Sequence, residues 1–312
     1  MRILLCGSLA YDTIMVFPDH FKNHILPDRL HQLSVAFLVP EMRREFGGTA
    51  GNIAYNLHLL GETPSILATV GEDFLPYRTR LEHLGFDLRG IRLIPGSYTA
   101  QAFITTDLDD NQITAFHPGA MAASHTHTID TVPGITMGVV SPDGREGMLQ
   151  HARQFHEAGI PFLFDPGQGL PLFSGPELLE FLEQATWLAV NDYEAQLMAN
   201  KTGLSFEQLA SRVDAAIMTQ GAQGSCIFAG NEVIPIPAVP TDRILDPTGC
   251  GDAYRAGLMY GLSHRWDWDR TGRLASLLGS LKIACRGGQN HTVTRAQLNE
   301  KLQEKFGFSL AP

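Results

Sequence analysis

The stretch Asp246-Pro-Thr-Gly-Cys-Gly-Asp252 places a glycine-rich turn and a carboxylate at the start of an apolar helix. Before it, residues 231–240 (NEVIPIPAVP) have the composition of strand and loop. After it, Ala256, Met259 and Tyr260 recur at helical intervals. The turn is therefore a helix N-terminus, where the N–H groups of Gly249, Cys250 and Gly251 lack intrahelical partners and the helix dipole favours an anion. Amides held in this way stabilise the charge that develops on a phosphoryl group in transfer, and Asp252 is placed to accept a hydroxyl proton as general base. The same seven residues also suit a plain helix start with an aspartate complementing the dipole, worth about 0.3–1 kcal/mol.

A second glycine turn, Gly47-Gly48-Thr49-Ala50-Gly51-Asn52, opens a helix whose apolar positions Ile53, Leu57 and Leu60 keep helical spacing until Gly61 ends it. Alone it reads first as a glycine-rich turn capping an ordinary helix. The two motifs, about 200 residues apart and in this order, resemble the paired signatures of the ribokinase-like, or PfkB, family of sugar and nucleoside kinases. The first motif resembles D-T-x-G-A-G-D, with Pro247 and Thr248 following Asp246 and Cys250 where alanine is usual. The second resembles the family's Gly-Gly turn with an asparagine four residues on.

That resemblance implies an ATP-dependent phosphotransferase with Asp252 as base and the Gly249, Cys250 and Gly251 amides as anion hole. It implies that Gly48 and Asn52 meet the hydroxyls of a sugar. Asp12, in Gly7-Ser-Leu-Ala-Tyr-Asp12, is similar to the aspartate with which relatives bind two vicinal hydroxyls; it also suits a turn cap. Asn191-Asp-Tyr-Glu194 resembles the family's N-x-x-E motif, in which the glutamate acts on Mg2+ and the phosphates through water, although Asn-Asp is also an ordinary helix start. Thr219-Gln-Gly-Ala-Gln-Gly224 resembles the loop under the nucleotide phosphates, giving Thr219, Gly221 and Gly224 as ATP-binding candidates beside Asn191 and Glu194; a glycine hairpin leading into strand 225–229 is the other reading. Asp246 and Thr248, with the backbone near Ala284 to Gly288, resemble the place where many relatives hold a monovalent cation such as K+.

Short apolar runs at 3–5, 65–70, 135–140, 161–164, 187–190 and 215–218 alternate with helical patterns at 52–60, 74–84, 147–158, 176–184 and 193–200. This alternation predicts an α/β fold with a mainly parallel sheet covered by helices on both faces. With the resemblance, the expectation is a ribokinase-like three-layer αβα architecture with a small β-sheet lid. Ligands in such sheets gather at the carboxyl ends of strands, which adds Asp165 and Gln168, just past Phe162-Leu-Phe164, to the substrate-binding candidates. The stretch from Met15 to Phe46 lacks an amphipathic helix, and Tyr98 to Phe116 alternates about a turn at Asp109-Asp110-Asn111. The expectation is one kinase domain over residues 1–312, with its lid from about 13–46 and 97–118.

Thr49 stands where ribokinase-type sequences carry lysine, and Phe103, Gln112 and Phe116 on the hairpin offer stacking and hydrogen bonding to a nucleobase, or simply lid core. These features are closer to the adenosine and nucleoside kinase branch. The implied activity is phosphorylation of the 5′-hydroxyl of adenosine, inosine, guanosine or a broad range of ribonucleosides, a step of purine salvage. A ribokinase- or fructokinase-type sugar kinase is the near alternative, and a non-catalytic nucleoside or sugar sensor the distant one. The lid also offers a surface for a homodimer.

A net charge of −10 argues against a nucleic-acid surface. No run approaches the ~18 apolar residues of a membrane span, and the expected location is the cytoplasm. Cys6, Cys226, Cys250 and Cys285 are far apart and form no CxxC pair, so neither a disulfide framework nor a zinc knuckle is expected. The histidines, including His125, His127, His151 and His156, lack the spacing of a helical zinc site. No G-x-x-x-x-G-K-[ST] occurs, and Gly7-Ser-Leu-Ala after the first strand is not G-x-G-x-x-G, which excludes P-loop and dinucleotide readings.

Overall fold

A computed structural model of the chain describes residues 2–25, 35–109 and 111–310. Residues 26–34 of the expected lid and Asp110 of its turn lie outside the described residues.

The strand β1 (Ile3–Cys6) is buried throughout. Its side chains alternate between two cores, Ile3 and Leu5 in one and Leu4 and Cys6 in the other. β1 pairs in parallel with β4 (Ser65–Val70) and β8 (Met137–Val140). The parallel ladder continues from β8 through β9 (Phe162–Phe164), β10 (Trp187–Asn191) and β11 (Ala215–Thr219), and β5 (Ile91–Leu93) flanks β4. An antiparallel pair, β12 (Ser225–Ala229) and β13 (Glu232–Ile236), closes the far edge of this nine-stranded sheet.

Helices cover both faces, as the continuous apolar runs of the central strands require. The core containing Ile3 and Leu5 is completed by α1 (Thr49–Leu59), α2 (Leu75–His83), α7 (Cys250–Ser263), α8 (Trp268–Ile283) and α9 (Arg295–Phe306). The other face packs against α3 (Arg145–Glu157), α4 (Gly175–Gln184), α5 (Asp192–Thr202) and α6 (Phe206–Ala210). There the rings of Phe164 and Phe181 stack at 4.2 Å, both fully buried; side chains of this size contribute about 1.5–3 kcal/mol each on burial.

Beyond Cys6 the chain leaves the large sheet and enters a second one of four strands. β2 (Ala10–Val16) lies between β3 (Glu41–Gly47) and β6 (Ala100–Thr106), and β7 (Gln112–His117) forms a hairpin with β6. Antiparallel neighbours frame a parallel β2–β6 pair with Ala10 opposite Ala100, so the two separate chain segments are joined through the middle of the small sheet. The expected α/β architecture with a mainly parallel sheet, helices on both sides and a small additional sheet is the one observed.

Candidate active site

Two cavities open at the carboxyl ends of the parallel strands, of about 550 and 450 Å³. Thr49, Pro142, Gln168, Gly249 and Asp252 line both, so the two glycine turns stand in a common wall.

Each turn needs its glycine for a separate reason. Gly48 caps α1 with φ of 85°, and a Cβ there would lie 2.5 Å from the Ser8 carbonyl oxygen. Gly249 caps α7 in the left-handed region with φ of 77°. After it, Gly251 and Asp252 occupy early helical positions whose N–H groups have no intrahelical acceptor. Cys250 departs from the expectation: its N–H donates to the Pro247 carbonyl at 3.1 Å, and the residue lines neither cavity. Its amide is already taken up by the turn, so it cannot serve the anion hole assigned to it, and burial pushes its thiol up to about 11.

The first cavity lies between the large and small sheets. Asp12, Gly48, Asn52 and Asp252 line it together with Ala102, Ile104, Thr114 and Phe116 of β6 and β7, Ala102 being the cross-strand neighbour of Asp12. Burial raises the Asp12 carboxyl to about 6, helped by Asp246 and Glu45. Burial also raises Asp252 to about 7; the bond from Asn52 opposes the rise, and Asp165 and Asp12 add to it. Phe103 and Gln112 do not line the cavity. Alternation along β6 turns Phe103 to the opposite face from Ala102 and Ile104, and Gln112 stands at the hairpin tip, beyond Thr114.

The second cavity is lined by Asp165, Asn191, Glu194, Thr219, Gly221 and Gly251. The candidates from four strand or turn regions thus converge, with two differences. Asp165 belongs to this cavity rather than the first, and Gly224 lines neither; a Cβ on Gly224 would lie 2.2 Å from the Ile236 carbonyl oxygen of β13. Asn191 and Glu194 form a reciprocal cap on α5, with N–H to carboxylate and N–H to amide bonds of 2.8 and 2.7 Å.

Three further groups were not legible as site residues. Arg255, one helical turn after Asp252, is 4% exposed and donates to Asp165 at 3.1 Å and to the Ala189 carbonyl at 3.2 Å, with Glu194 at 3.9 Å. It sets a buried cation in the wall of the second cavity. Asp143, just past β8, lines the first cavity at 3% exposure. Its Oδ1 accepts from the Gly144 N–H at 2.8 Å, and among the described residues no donor is aligned on Oδ2; burial pushes this carboxyl up to about 8. Lys282, fully buried at the end of α8, donates to the carbonyls of Asp246 and Cys285 at 2.8 and 3.0 Å. Strand-end proximity gives a signal for Asp143 alone; a lone arginine or lysine in a helix gives none.

Glu194 and Asp165 offer carboxylate oxygens suited to a hard cation that keeps most of its water. They form no three-ligand protein cage, since among the described residues the acidic or histidine cluster of that kind is His20, Asp107 and Asp109, in the small-sheet loops. The monovalent-cation expectation fits less well. Asp246 accepts from the Thr248 and Gly287 N–H groups on its two carboxylate oxygens at 2.9 and 2.8 Å, and its carbonyl is occupied by the Lys282 ammonium.

Residues 9–295 match the model of the pfkB family of carbohydrate kinases. A nucleoside kinase of Methanocaldococcus jannaschii is 30% identical over 281 residues, covering 89% of this chain and 92% of that protein. The structure of a Burkholderia thailandensis nucleoside kinase in complex with inosine superposes with a TM-score of 0.90 at 50% identity, covering 99% of each chain. A structure of the same kinase with ADP and inosine gives 0.88 at 52% identity, covering 99% of this chain and 97% of that one. With two glycine turns meeting in one wall and a family match across most of its length, the chain belongs to the pfkB family of carbohydrate kinases.

Proposed function

We propose that this chain is an ATP-dependent nucleoside kinase that phosphorylates the 5′-hydroxyl of ribonucleosides. The observation that carries the reading is the position of Asp252 in the wall shared by the two cavities, where an acceptor hydroxyl and a donor phosphate meet. The relatives seen with inosine and with ADP and inosine support the substrate pair.

In this reading the nucleoside occupies the first cavity. Asp12 accepts hydrogen bonds from vicinal ribose hydroxyls, and Gly48 and Asn52 complete the ribose contacts. The base lies toward Ile104, Phe116 and Met121, with Gln168 and the buried Asp143 presenting hydrogen-bonding groups to its polar edge. The ATP phosphates occupy the second cavity, over Thr219 and Gly221, with Arg255 and the Gly249 and Gly251 backbone supplying positive potential. Asp252 accepts the 5′-hydroxyl proton as that oxygen bonds to the γ-phosphorus and the bond to the departing ADP oxygen breaks. Glu194 and Asp165 would hold Mg2+ through water, and the ion would supply charge neutralisation to the phosphates.

The small sheet acts as a lid that excludes water from the transfer, within one kinase domain. Its outer face exposes Met42, Phe103 and Ile113, an apolar surface suited to a homodimer. The reaction belongs to purine salvage in the cytoplasm.

The test is ATP consumption with Mg2+ against adenosine, inosine, guanosine, cytidine, uridine, ribose and fructose. Turnover of nucleosides without free sugars is expected. Turnover of a sugar alone would replace the reading with a sugar kinase, and silence across the panel with a ligand sensor.

A further inference from the structure

The loop entering α7 is tied down by a buried charge. Lys282 is 0% exposed, which is rare for lysine unless its ammonium is fully engaged. Its Nζ donates to the Asp246 carbonyl at 2.8 Å and to the Cys285 carbonyl at 3.0 Å, bridging the start of the glycine turn and the loop that follows α8. The same two segments are joined again by the Gly287 N–H on the Asp246 carboxylate at 2.8 Å and by the Leu245 and Asp246 N–H groups on the Ile283 carbonyl. The Asp246 carboxylate compensates the ammonium. Burial drives this carboxyl upward, but the Gly287 and Thr248 bonds and Lys282 outweigh that and hold it below its ordinary value.

A soluble monovalent cation is held by several oxygens that replace its water shell. Here four oxygens of the two segments are already engaged: the Asp246 and Cys285 carbonyls by the ammonium and both Asp246 carboxylate oxygens by backbone N–H groups. A second cation would be repelled by the ammonium at short range. The carbonyls at the end of α8 also form the negative pole of its dipole, which a fixed lysine satisfies.

We propose that the Lys282 ammonium is a built-in replacement for a monovalent cation beside the turn that opens α7, so that this chain works without added potassium. The proposal rests on the phosphotransferase reading only for its activity measurement. Lys282 touches neither cavity and acts by positioning the turn that carries Gly249 and Asp252.

The experiment compares wild type, Lys282→Ala and Lys282→Met in choline, sodium, potassium and ammonium chlorides at equal ionic strength, reading both turnover and thermal midpoint. The wild type is expected to vary less than about twofold in rate across the salts, with no potassium-specific rise in midpoint. Lys282→Ala is expected to fall more than about tenfold in choline and to recover in potassium or ammonium, its midpoint rising with the same ions. A wild type that requires potassium, or whose midpoint rises in it, overturns the proposal; so does a Lys282→Ala variant as active in choline as the wild type. If the alanine variant does not fold, Lys282→Met, which keeps the buried stem, takes its place, and a methionine variant indifferent to every ion overturns the proposal. If no nucleoside or sugar is turned over, the kinase reading fails, while the midpoints still decide the inference: potassium stabilising the variant but not the wild type supports it, and potassium stabilising both or neither overturns it.

Discussion

The Asn52 side-chain N–H donates to the Asp252 carboxylate at 2.8 Å across 200 positions of sequence. It links the N-terminus of α1 to that of α7, and Gln289 extends the link by donating to the Asn52 side-chain oxygen at 3.1 Å and to the Tyr77 hydroxyl at 2.6 Å. The Asp252 carboxylate is thereby oriented by a residue from the other glycine turn.

Asp252→Asn keeps the shape of the wall and removes the proton acceptor. The expected result is a fall in kcat of about 10²- to 10⁴-fold with nucleoside affinity, measured by calorimetry, nearly unchanged. Equal loss of binding and turnover would remove Asp252 from the role of base.

With its carboxyl raised to about 7, Asp252 is ionised in only part of the molecules at neutral pH. A base works deprotonated, so kcat/KM is expected to rise with pH and level off above about 7. The Asn52 bond favours the ionised form, and Asn52→Ala removes it. The rising limb of the pH–rate profile is therefore expected to move to higher pH; a limb left in place would show that the bond does not tune the group.

Arg255 and Asp165 form an ion pair with both side chains 5% exposed. Removing the cation strands a buried carboxylate, so Arg255→Met is expected to cost about 3–5 kcal/mol in urea unfolding. Arg255→Lys retains the charge but loses the planar fork, and is expected to raise the KM for ATP more than that for the nucleoside. An equal rise in both would place Arg255 outside the donor side.

Asp143 is raised from about 3.8 to about 8, so its folded form keeps a proton that the unfolded chain gives up over that range. Its contribution to stability is full below the lower value and is lost as pH rises toward the upper one. Asp143→Asn, which cannot ionise, is expected to flatten the fall in urea midpoint between about pH 4 and pH 8. The same variant is expected to change the ranking among purine nucleosides more than the turnover of any one, because the residue lines the first cavity, proposed for the nucleoside, without reaching the shared wall.

The parts of this protein legible in its sequence are those set by local pattern. The glycine turns at 47–49 and 249–251 announce helix starts, and the parallel strands β1, β4, β8, β9, β10 and β11 are short apolar runs bounded by loops. Strand-end loops then identify which residues converge, since a parallel sheet gathers them at one edge. Long-range geometry is less accessible. Phe103 was expected in the pocket because the face of a two-sided strand is fixed only by its pairing, and β2 sets that pairing from about 90 residues upstream. The Cys250 amide looks free in sequence, yet the local turn bends it onto Pro247. Arg255 and Lys282 stand among helical residues where a cation ordinarily marks a solvated face; only tertiary packing brings carboxylates and carbonyls to meet them.

Burial raises the Asp12 and Asp252 carboxyls of the first cavity, and neighbouring carboxylates add to the rise: Asp246 and Glu45 on Asp12, Asp165 and Asp12 on Asp252. A neutral alcohol enters such surroundings without electrostatic penalty and gains hydrogen bonds from them. The phosphate ester it becomes carries a charge of about −2 and faces the same groups as a repelled anion. In the proposed reading, the same crowding that admits the neutral acceptor weakens the hold on the charged product and so speeds its release.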